Sequence, residues 1–209
     1  MENNLYLHLL IKILDLNSSD IKKIIDSKIS IHELIFSDKE YLRKCLKLKE
    51  STISKLEALK TLISEISFEE LRKREKIESS KDAVKYLKTI LRTLRREYLV
   101  VLFLNKANAV VDQIKIRGSI DEVQMDYRSI IKRAVLSDAT NIICAHNHPS
   151  GNVDRSTQDR TITFELKKRM EAFDIRLLDH IIISRDSYYS FAEHNLLQDE
   201  PKRRGKNKH

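Results

Sequence analysis

Turn-forming residues are scarce in this chain, and two of them lie beside its best metal ligands. The 209 residues include three glycines and two prolines. Pro149 and Gly151 stand next to His146 and His148, in the stretch Ala145-His146-Asn147-His148-Pro149-Ser150-Gly151. Since the rest of the chain is rich in Lys, Ile and Leu, the sequence places an irregular backbone directly beside two imidazoles.

The residues before the two histidines predict a buried strand. Asn141 to Ala145 is a short, mainly apolar run. Pro149 ends the strand, because proline has no backbone N–H to donate to a sheet. Side chains alternate between the faces of a strand, so His146 and His148 should point to the same side.

A helix is predicted from Thr157 to about Met170, after the loop that follows the strand. Ser156 is a favourable N-cap, and Asp159 falls in the first turn. Two histidines and one carboxylate, with a water in the fourth position, are the ligands of a catalytic zinc site. A plainer interpretation stays open, because Ser-x-x-Asp before a helix is also typical of a capping box. Asp159 can serve both roles.

The same residues resemble a known motif. His146–Gly151, followed by Ser156–Asp159, is similar to the JAMM motif of MPN-type metalloproteases, and in particular to its bacterial RadC branch. Leu178–Ile182 and Val100–Asn105 also resemble that branch, and the likeness covers approximately residues 80–193. The resemblance implies a mixed α/β fold and a peptide or protein substrate.

The resemblance also implies roles for individual residues. His146, His148 and Asp159 would bind Zn²⁺, and Ser156 would support the oxyanion of the tetrahedral intermediate. Cys144 shares the face of the two histidines, but core packing is expected for it because it lies inside an apolar strand. His180 lies in another buried strand and is expected to be a hydrogen-bonded structural histidine.

One catalytic position departs from the family pattern. The family has a glutamate on an upstream strand that takes a proton from the zinc-bound water, and alignment on the Arg117-Gly118 turn places Gln113 there. An amide cannot act as a base near neutral pH, and losing a general base typically costs about 10²–10⁴-fold in rate. Asp112 and Glu122 are near in sequence, but neither matches that position. Gln113→Glu is then expected to raise peptidase activity.

Composition favours a globular protein outside the membrane. The chain is 41% hydrophobic and 33% charged, and no apolar run approaches the length of a membrane span. Met1–Asn4 lacks the basic segment that begins a signal peptide. Cys45 and Cys144 lie far apart and indicate no disulfide framework, so a reducing cytoplasm is the expected compartment.

Residues 1–66 are predicted to form a small all-α bundle, because apolar residues recur there at helical spacing. In RadC-like proteins the matching region resembles a helix-hairpin-helix module. The two glycine positions of that hairpin hold Lys47 and Lys49 here, so the module is degenerate. The two lysines could still contact nucleic-acid phosphates, and Cys45 is expected to pack in the core of the bundle.

The remaining chain predicts a linker, a second domain and a tail. Residues 67–79 are dense in charges of both signs and read as an exposed linker. Residues 80–196 mix strands with three helices and match the α/β sandwich of MPN domains. A tail is predicted at residues 197–209. Its part 201–209 carries five basic residues and no acid, which accounts for most of the net charge of +8. This basic tail is either a solvated end or a site for phosphates.

Three functions stay open at this point. The first is a zinc-dependent hydrolase that acts on a peptide or isopeptide bond. The second is a zinc-binding module for protein interaction, which Gln113 favours. The third is a DNA-associated protein, as the traditional DNA-repair label of RadC implies, with local support from Lys47, Lys49 and the basic tail. The resemblance also leaves a homodimer open.

Overall fold

The computed structural model describes residues 2–74, 76–118 and 125–198. In those residues the helices are α1 (Glu2–Leu14), α2 (Ser18–Ser27), α3 (Ile31–Phe36), α4 (Lys39–Lys44), α5 (Glu50–Arg72), α6 (Ser80–Leu91), α7 (Tyr127–Leu136) and α8 (Thr157–Glu171). The strands are β1 (Tyr98–Leu104), β2 (Val110–Arg117), β3 (Asn141–Asn147), β4 (Arg176–Ile183) and β5 (Tyr188–Ser190). Among the described helices, none combines the length and the apolar character that crossing a membrane requires.

The described residues fall into two compact units, which divide near the end of α5. One unit holds the residues up to Glu70 together with Thr93–Arg95, and the other holds the remaining described residues. The sequence predicts that the last helix of the bundle ends at Ile66, whereas α5 continues to Arg72. The first part of the predicted linker at 67–79 is therefore helical.

Two apolar residues explain the longer helix. Phe68 and Leu71 are both buried, and they lie three residues apart, which places them on one side of a helix. The charged residues around them mark the solvated side of the same helix. The many charged residues of the predicted linker therefore belong partly to the exposed face of α5, which runs to Arg72, and partly to the connector after it.

The first unit is an all-α bundle, as the sequence predicts. Ser30 and Glu33 form a capping box at the start of α3. Fully buried apolar side chains form its centre, among them Leu34, Leu42, Ile53 and Leu56. The prediction that Cys45 packs in this core is wrong: Cys45 is exposed at the C-cap of α4, where the helix ends and the chain turns towards α5.

A buried carboxylate holds the turn between α4 and α5. Asp20 of α2 is fully buried. Its Oδ2 accepts hydrogen bonds from Thr52 Oγ1 at 2.7 Å, the Lys49 N–H at 3.1 Å and Asn17 Nδ2 at 3.0 Å. Lys23 Nζ lies 3.1 Å from its Oδ1. Burial acts to raise the pKa of Asp20, but these hydrogen bonds outweigh burial and lower the pKa to about 2.

Both lysines of the degenerate hairpin lie in this turn. Lys47 has a φ of 51°, a conformation that glycine adopts more easily, and its carbonyl accepts a hydrogen bond from Lys23 Nζ at 2.5 Å. The Lys49 N–H is bound to Asp20, so it is not free for a DNA phosphate. The side chains of both lysines are exposed, and nucleic-acid binding through them stays a prediction.

Asp20→Asn is expected to lower the free energy of unfolding by about 2–3 kcal/mol near neutral pH, because buried donors lose a charged acceptor. A carboxyl whose pKa is depressed by folding stabilises the fold above its unfolded pKa. That contribution is lost as the pH falls through the folded pKa. The stability difference from the unaltered protein should therefore shrink between the unfolded value of 3.8 and about 2.

Urea unfolding at a series of pH values measures this difference. Asp26→Asn is the matched control, because Asp26 lies on the same helix and is exposed. It should unfold like the unaltered protein at each pH. A difference for Asp20→Asn that stays constant down to the lowest pH would contradict the assigned pKa.

The second unit is built on a mixed five-stranded sheet with the strand order β2-β1-β3-β4-β5. β1 pairs antiparallel with β2 and with β3, β3 pairs parallel with β4, and β4 pairs antiparallel with β5. The parallel pair requires a crossover connection, which α8 provides. The predicted α/β fold with a mixed sheet and flanking helices is confirmed.

One face of this sheet packs against α7 and α8. Its buried side chains are Leu99, Val101, Phe103, Ile142 and Cys144. The helices contribute Ile130, Ala134, Ile162, Leu166 and Met170 to the same core. Cys144 is buried there, as expected. His146 comes two residues later on β3 and therefore continues the same face beyond the apolar core.

The predicted tail begins later than residue 197. Leu197 packs against the sheet core, and its carbonyl accepts a hydrogen bond from Lys167 Nζ at 2.9 Å. The basic cluster of the predicted tail lies outside the described residues. Its binding to nucleic acid stays a prediction.

Candidate metal centre

The structure brings the three predicted metal ligands together. His146 Nε2 lies 3.1 Å from Asp159 Oδ1 and 2.9 Å from His148 Nε2. His148 Nε2 lies 3.7 Å from Asp159 Oδ2. The imidazole of His146 is fully buried, whereas 15% of the His148 side chain is exposed. The three ligands therefore meet at the solvent edge of the sheet.

Local backbone hydrogen bonds place the two histidines. His146 belongs to β3 and lies opposite Leu99 of β1. His148 follows the strand, and its N–H donates to the Ile183 carbonyl at 2.9 Å. Gly151 has a φ of 87°, and its N–H donates to the His148 carbonyl at 3.1 Å. The turn predicted from Pro-Ser-Gly therefore begins directly after the second ligand.

Asp159 combines the two roles considered from the sequence. Ser156 is the N-cap of α8, and its Oγ accepts the Asp159 N–H at 3.0 Å. The Ser156 N–H and hydroxyl donate to Asp159 Oδ2 at 2.6 and 2.7 Å. This capping box occupies Oδ2 and leaves Oδ1 facing His146. Asp159 is thus held by the helix terminus in the orientation that a metal ligand needs.

The donor atoms fit a zinc ion. Zinc binds imidazole nitrogen at about 2.0–2.1 Å and carboxylate oxygen at about 2.0–2.2 Å, which separates neighbouring ligand atoms by about 3.4 Å in a tetrahedral site. His146 Nε2 lies 2.9 Å from His148 Nε2 and 3.1 Å from Asp159 Oδ1, close to that value, and the ligand atoms of all three residues lie within 4.8 Å of one another. Three protein ligands leave one position open, as in catalytic zinc sites. The arrangement is therefore compatible with the predicted Zn²⁺.

The His148 imidazole is held in the form that binds metal through Nε2. Its Nδ1 lies 2.8 Å from the Asn152 carbonyl oxygen. Because a carbonyl only accepts, His148 Nδ1 carries the hydrogen of this bond and Nε2 is left with its lone pair in the neutral ring. Two acceptors, His148 Nε2 and an Asp159 oxygen, then face one another, and a cation between them resolves the repulsion.

Burial and neighbouring charges shift the pKa of all three groups. Burial lowers the pKa of His146, which favours the neutral imidazole. The hydrogen bond with Asp159 favours the protonated form of His148 and raises its pKa, so a cation at Nε2 would have to displace that proton. Burial acts to raise the pKa of Asp159, but its bonds with both histidines outweigh burial and hold it well below the ordinary value. Asp159 therefore carries its negative charge throughout the neutral range.

The structure does not bring Gln113 to this centre. Gln113 pairs with Leu102, and Leu102 lies opposite Ile143 on the face of the sheet that His146 does not share. The Gln113 Oε1 accepts a hydrogen bond from the Tyr86 hydroxyl at 2.5 Å. The expected role at the metal-bound water therefore differs from the structure, because the alignment did not account for which face of the sheet the residue occupies.

The sequence reasoning missed Glu97, which lies beside the centre. Glu97 directly precedes β1, in which Leu99 is opposite His146. Continuing that register by two residues sets Glu97 opposite His148, on the same face of the sheet. Its negative charge acts to raise the pKa of both imidazoles, although burial and Asp159 have larger effects on those pKa values. Its place before the apolar run at 98–104 is the sequence signal that could have identified it.

Asn147 holds the backbone on both sides of Glu97. Its Oδ1 accepts the Tyr98 N–H at 2.9 Å, and its Nδ2 donates to the Arg96 carbonyl at 2.9 Å. The Glu97 carbonyl accepts the Gly118 N–H at 3.3 Å. The residue between the two histidines therefore fastens the segment that carries Glu97 to the end of β3.

Comparisons with known proteins match the same part of the chain. The profile of the RadC-like JAB domain matches residues 77–196. A UPF0758 protein of Aliivibrio fischeri is 34% identical over 165 residues, which cover 78% of this chain and 74% of the relative. A UPF0758 protein of Haemophilus ducreyi is 32% identical over 171 residues, which cover 81% and 77%.

A third relative is matched over a shorter part. A UPF0758 protein of Flavobacterium johnsoniae is 38% identical over 129 residues, and the match spans 56% of that protein's length. The matched domain occupies more than half of the present chain. It contains the three ligands, Ser156 and Glu97. The chain belongs to the RadC family of proteins with a RadC-like JAB domain.

Proposed function

We propose that this protein is a zinc-dependent hydrolase that cleaves a peptide or isopeptide bond. One observation carries the proposal: His146, His148 and Asp159 converge at the solvent edge of the sheet, where the negative charge of Glu97 acts on both imidazoles. Two imidazoles and a carboxylate supply a catalytic ligand set, and a second carboxylate supplies a base. The family resemblance of the motif supports the same reaction.

The residues divide the work between binding and proton transfer. His146 Nε2, His148 Nε2 and Asp159 Oδ1 would hold the ion. A bound zinc ion polarises a substrate carbonyl and acidifies a coordinated water. The Glu97 carboxylate would take a proton from the water that attacks the carbonyl carbon and would deliver it to the leaving nitrogen as the C–N bond breaks. The partial exposure of His148 leaves the substrate a way to approach.

Ser156 would donate a hydrogen bond to the oxyanion. In the structure its hydroxyl donates to Asp159 Oδ2 at 2.7 Å, so the hydroxyl hydrogen has to turn from Asp159 to the oxyanion during the reaction. The Ser156 N–H, 2.6 Å from the same Oδ2, keeps Asp159 in place when it does. A preorganised oxyanion donor contributes about 10²–10³-fold to the rate in related chemistry, and a smaller contribution is expected from Ser156 because its hydroxyl has to turn first.

Glu97 favours one of the two zinc-binding alternatives. A module for protein interaction was favoured by the missing base at Gln113. With Glu97 as the base, the proposed centre would have the groups that hydrolysis needs. The hydrolase is therefore the better supported function.

Zinc-dependent peptide hydrolysis is the expected result for the purified protein. A mixture of peptides and isopeptide-linked substrates is incubated with zinc-loaded protein, and the products are identified by mass spectrometry. Removal of zinc with a chelator should abolish the products, and added Zn²⁺ should restore them. A protein that binds zinc stoichiometrically but cleaves none of these bonds would contradict the proposal and favour the interaction module.

A further inference from the structure

We propose that His180 and Thr163 are positioning residues that decide which nitrogen of His146 carries hydrogen, so that His146 Nε2 stays free to bind metal. The inference rests on the proposed metal centre. Neither residue offers an atom to the metal itself. Both act through a chain of hydrogen bonds that ends at His146 Nδ1.

This chain of hydrogen bonds is short and closed to solvent. Thr163 Oγ1 lies 2.5 Å from the carbonyl oxygen of Asp159 and 2.6 Å from His180 Nδ1. His180 Nε2 lies 2.8 Å from His146 Nδ1. Thr163, His180 and His146 are all fully buried. Each polar atom therefore has to satisfy its hydrogen bond within the chain, because water cannot replace a partner.

The hydrogens can be assigned by starting from the carbonyl. A carbonyl oxygen only accepts, so Thr163 uses its one hydroxyl hydrogen on Asp159. Thr163 Oγ1 must then accept from His180, which puts the His180 hydrogen on Nδ1. His180 Nε2 is left with a lone pair and accepts from His146. His146 therefore carries its hydrogen on Nδ1 and presents a bare Nε2 to the metal centre.

The opposite assignment would block the site. With its hydrogen on Nε2, His180 would donate to His146 Nδ1, and the hydrogen of a neutral His146 would move to Nε2. That nitrogen could then no longer bind a metal. A doubly protonated His180 would place a positive charge in a fully buried site, which is costly. The Thr163 hydroxyl thus selects the binding form of a ligand that it does not touch.

The ring of His180 is fixed in the orientation that this assignment needs. It stacks on Phe191 with 5.0 Å between ring centroids and 17° between planes. Its backbone lies in β4, where His180 pairs with Cys144 of β3. A ring held on one side by an aromatic plane and at both nitrogens by partners has little freedom to rotate. Partners of this kind usually change metal affinity by about 10–100-fold.

Two substitutions of Thr163 separate the hydroxyl from the volume of the side chain. Thr163→Val keeps the shape but removes the hydrogen bonds to Asp159 and His180. Thr163→Ser keeps the hydroxyl. Zn²⁺ affinity, measured by competition with a chromophoric chelator, should be about 10–100-fold weaker for the valine variant and close to the unaltered value for the serine variant. Equal affinity of all three proteins would overturn the proposal.

Nitrogen-15 NMR of the histidine side chains gives a readout that packing alone would not move. His180 in the unaltered, metal-free protein should carry hydrogen on Nδ1, and Thr163→Val should raise the population with hydrogen on Nε2. Hydrogen on Nε2 of His180 in the unaltered protein would overturn the inference, whatever the variants do. Because it is made on the unaltered protein, this measurement tests the inference even if a variant fails to fold.

Failure of the inference about Thr163 and His180 can be distinguished from failure of the proposed function. An unaltered protein that does not bind Zn²⁺ would contradict the proposed hydrolase while leaving the His180 assignment to be decided by NMR. If Thr163→Val binds Zn²⁺ as tightly as the unaltered protein, the proposed hydrolase stands and the positioning role of Thr163 and His180 is ruled out.

Discussion

If Glu97 is the proposed base, Glu97→Gln is expected to lower the turnover of the zinc-loaded protein by about 10²–10⁴-fold, the usual cost of losing a general base. The amide keeps the size and polarity of the side chain but cannot accept a proton near neutral pH. Glu97 is not one of the three groups that converge to bind the ion. The zinc content of the variant should therefore equal that of the unaltered protein.

Gln113→Glu is the matched control for this substitution. Gln113 lies on the other face of the sheet, bound to Tyr86, and a glutamate there can accept the same hydrogen bond. Its turnover is expected to stay unchanged, in contrast to the expectation from sequence alignment. If Gln113→Glu raised turnover and Glu97→Gln left it unchanged, the base would have to be reassigned.

Loss of zinc is the expected result of His148→Ala. The substitution removes one of three protein ligands, so the affinity should fall by more than the roughly 10–100-fold typical of groups that only support a ligand. His148 lies past the end of β3 and is partly exposed, so the metal-free fold should survive. His146→Ala should lose zinc as well, but it also opens a buried space in the sheet core.

Thermal unfolding with and without Zn²⁺ measures this loss. A ligand at 100 times its dissociation constant stabilises a protein by about 2.7 kcal/mol, so the midpoint of the unaltered protein should rise with zinc. The midpoint of His148→Ala should not rise. His194→Ala is the control, because His194 is exposed in the same unit and should respond like the unaltered protein. An unchanged zinc response of His148→Ala would argue against the assigned ligands.

The ligand set could be predicted because each part follows from a local rule. Alternation along one strand puts His146 and His148 on one side, and the N-cap geometry of a helix fixes Asp159 against Ser156. Both rules act within a few residues. The structure adds the one fact that they cannot supply, namely that the end of β3 and the start of α8 meet in space.

The proposed base, Glu97, could not be predicted in the same way. Glu97 reaches the centre through the pairing of β1 with β3, whose residues lie far apart in the chain. Strand register depends on how the strands of a sheet pair, and the sequence of one strand alone does not show which residues it will pair with. The position of Gln113 within its own strand does not show which face of the sheet carries the histidines.

The same limit explains the errors in the helical unit. Cys45 belongs to an apolar pattern, yet the pattern does not show where α4 ends and the side chain leaves the core. Phe68 and Leu71 lie in a charged stretch, and their burial keeps α5 helical through it.

His180 was expected to be a hydrogen-bonded structural histidine, and the structure adds that one of its partners is His146.

Anomalous diffraction at the zinc edge, from crystals of the zinc-loaded protein, tests the metal centre most directly. We expect one strong peak within about 2.0–2.2 Å of His146 Nε2, His148 Nε2 and Asp159 Oδ1, with Glu97 facing the open position. A fully loaded protein whose peak lies elsewhere, or whose three side chains have turned away from one another, would contradict the metal centre and the hydrolase built on it.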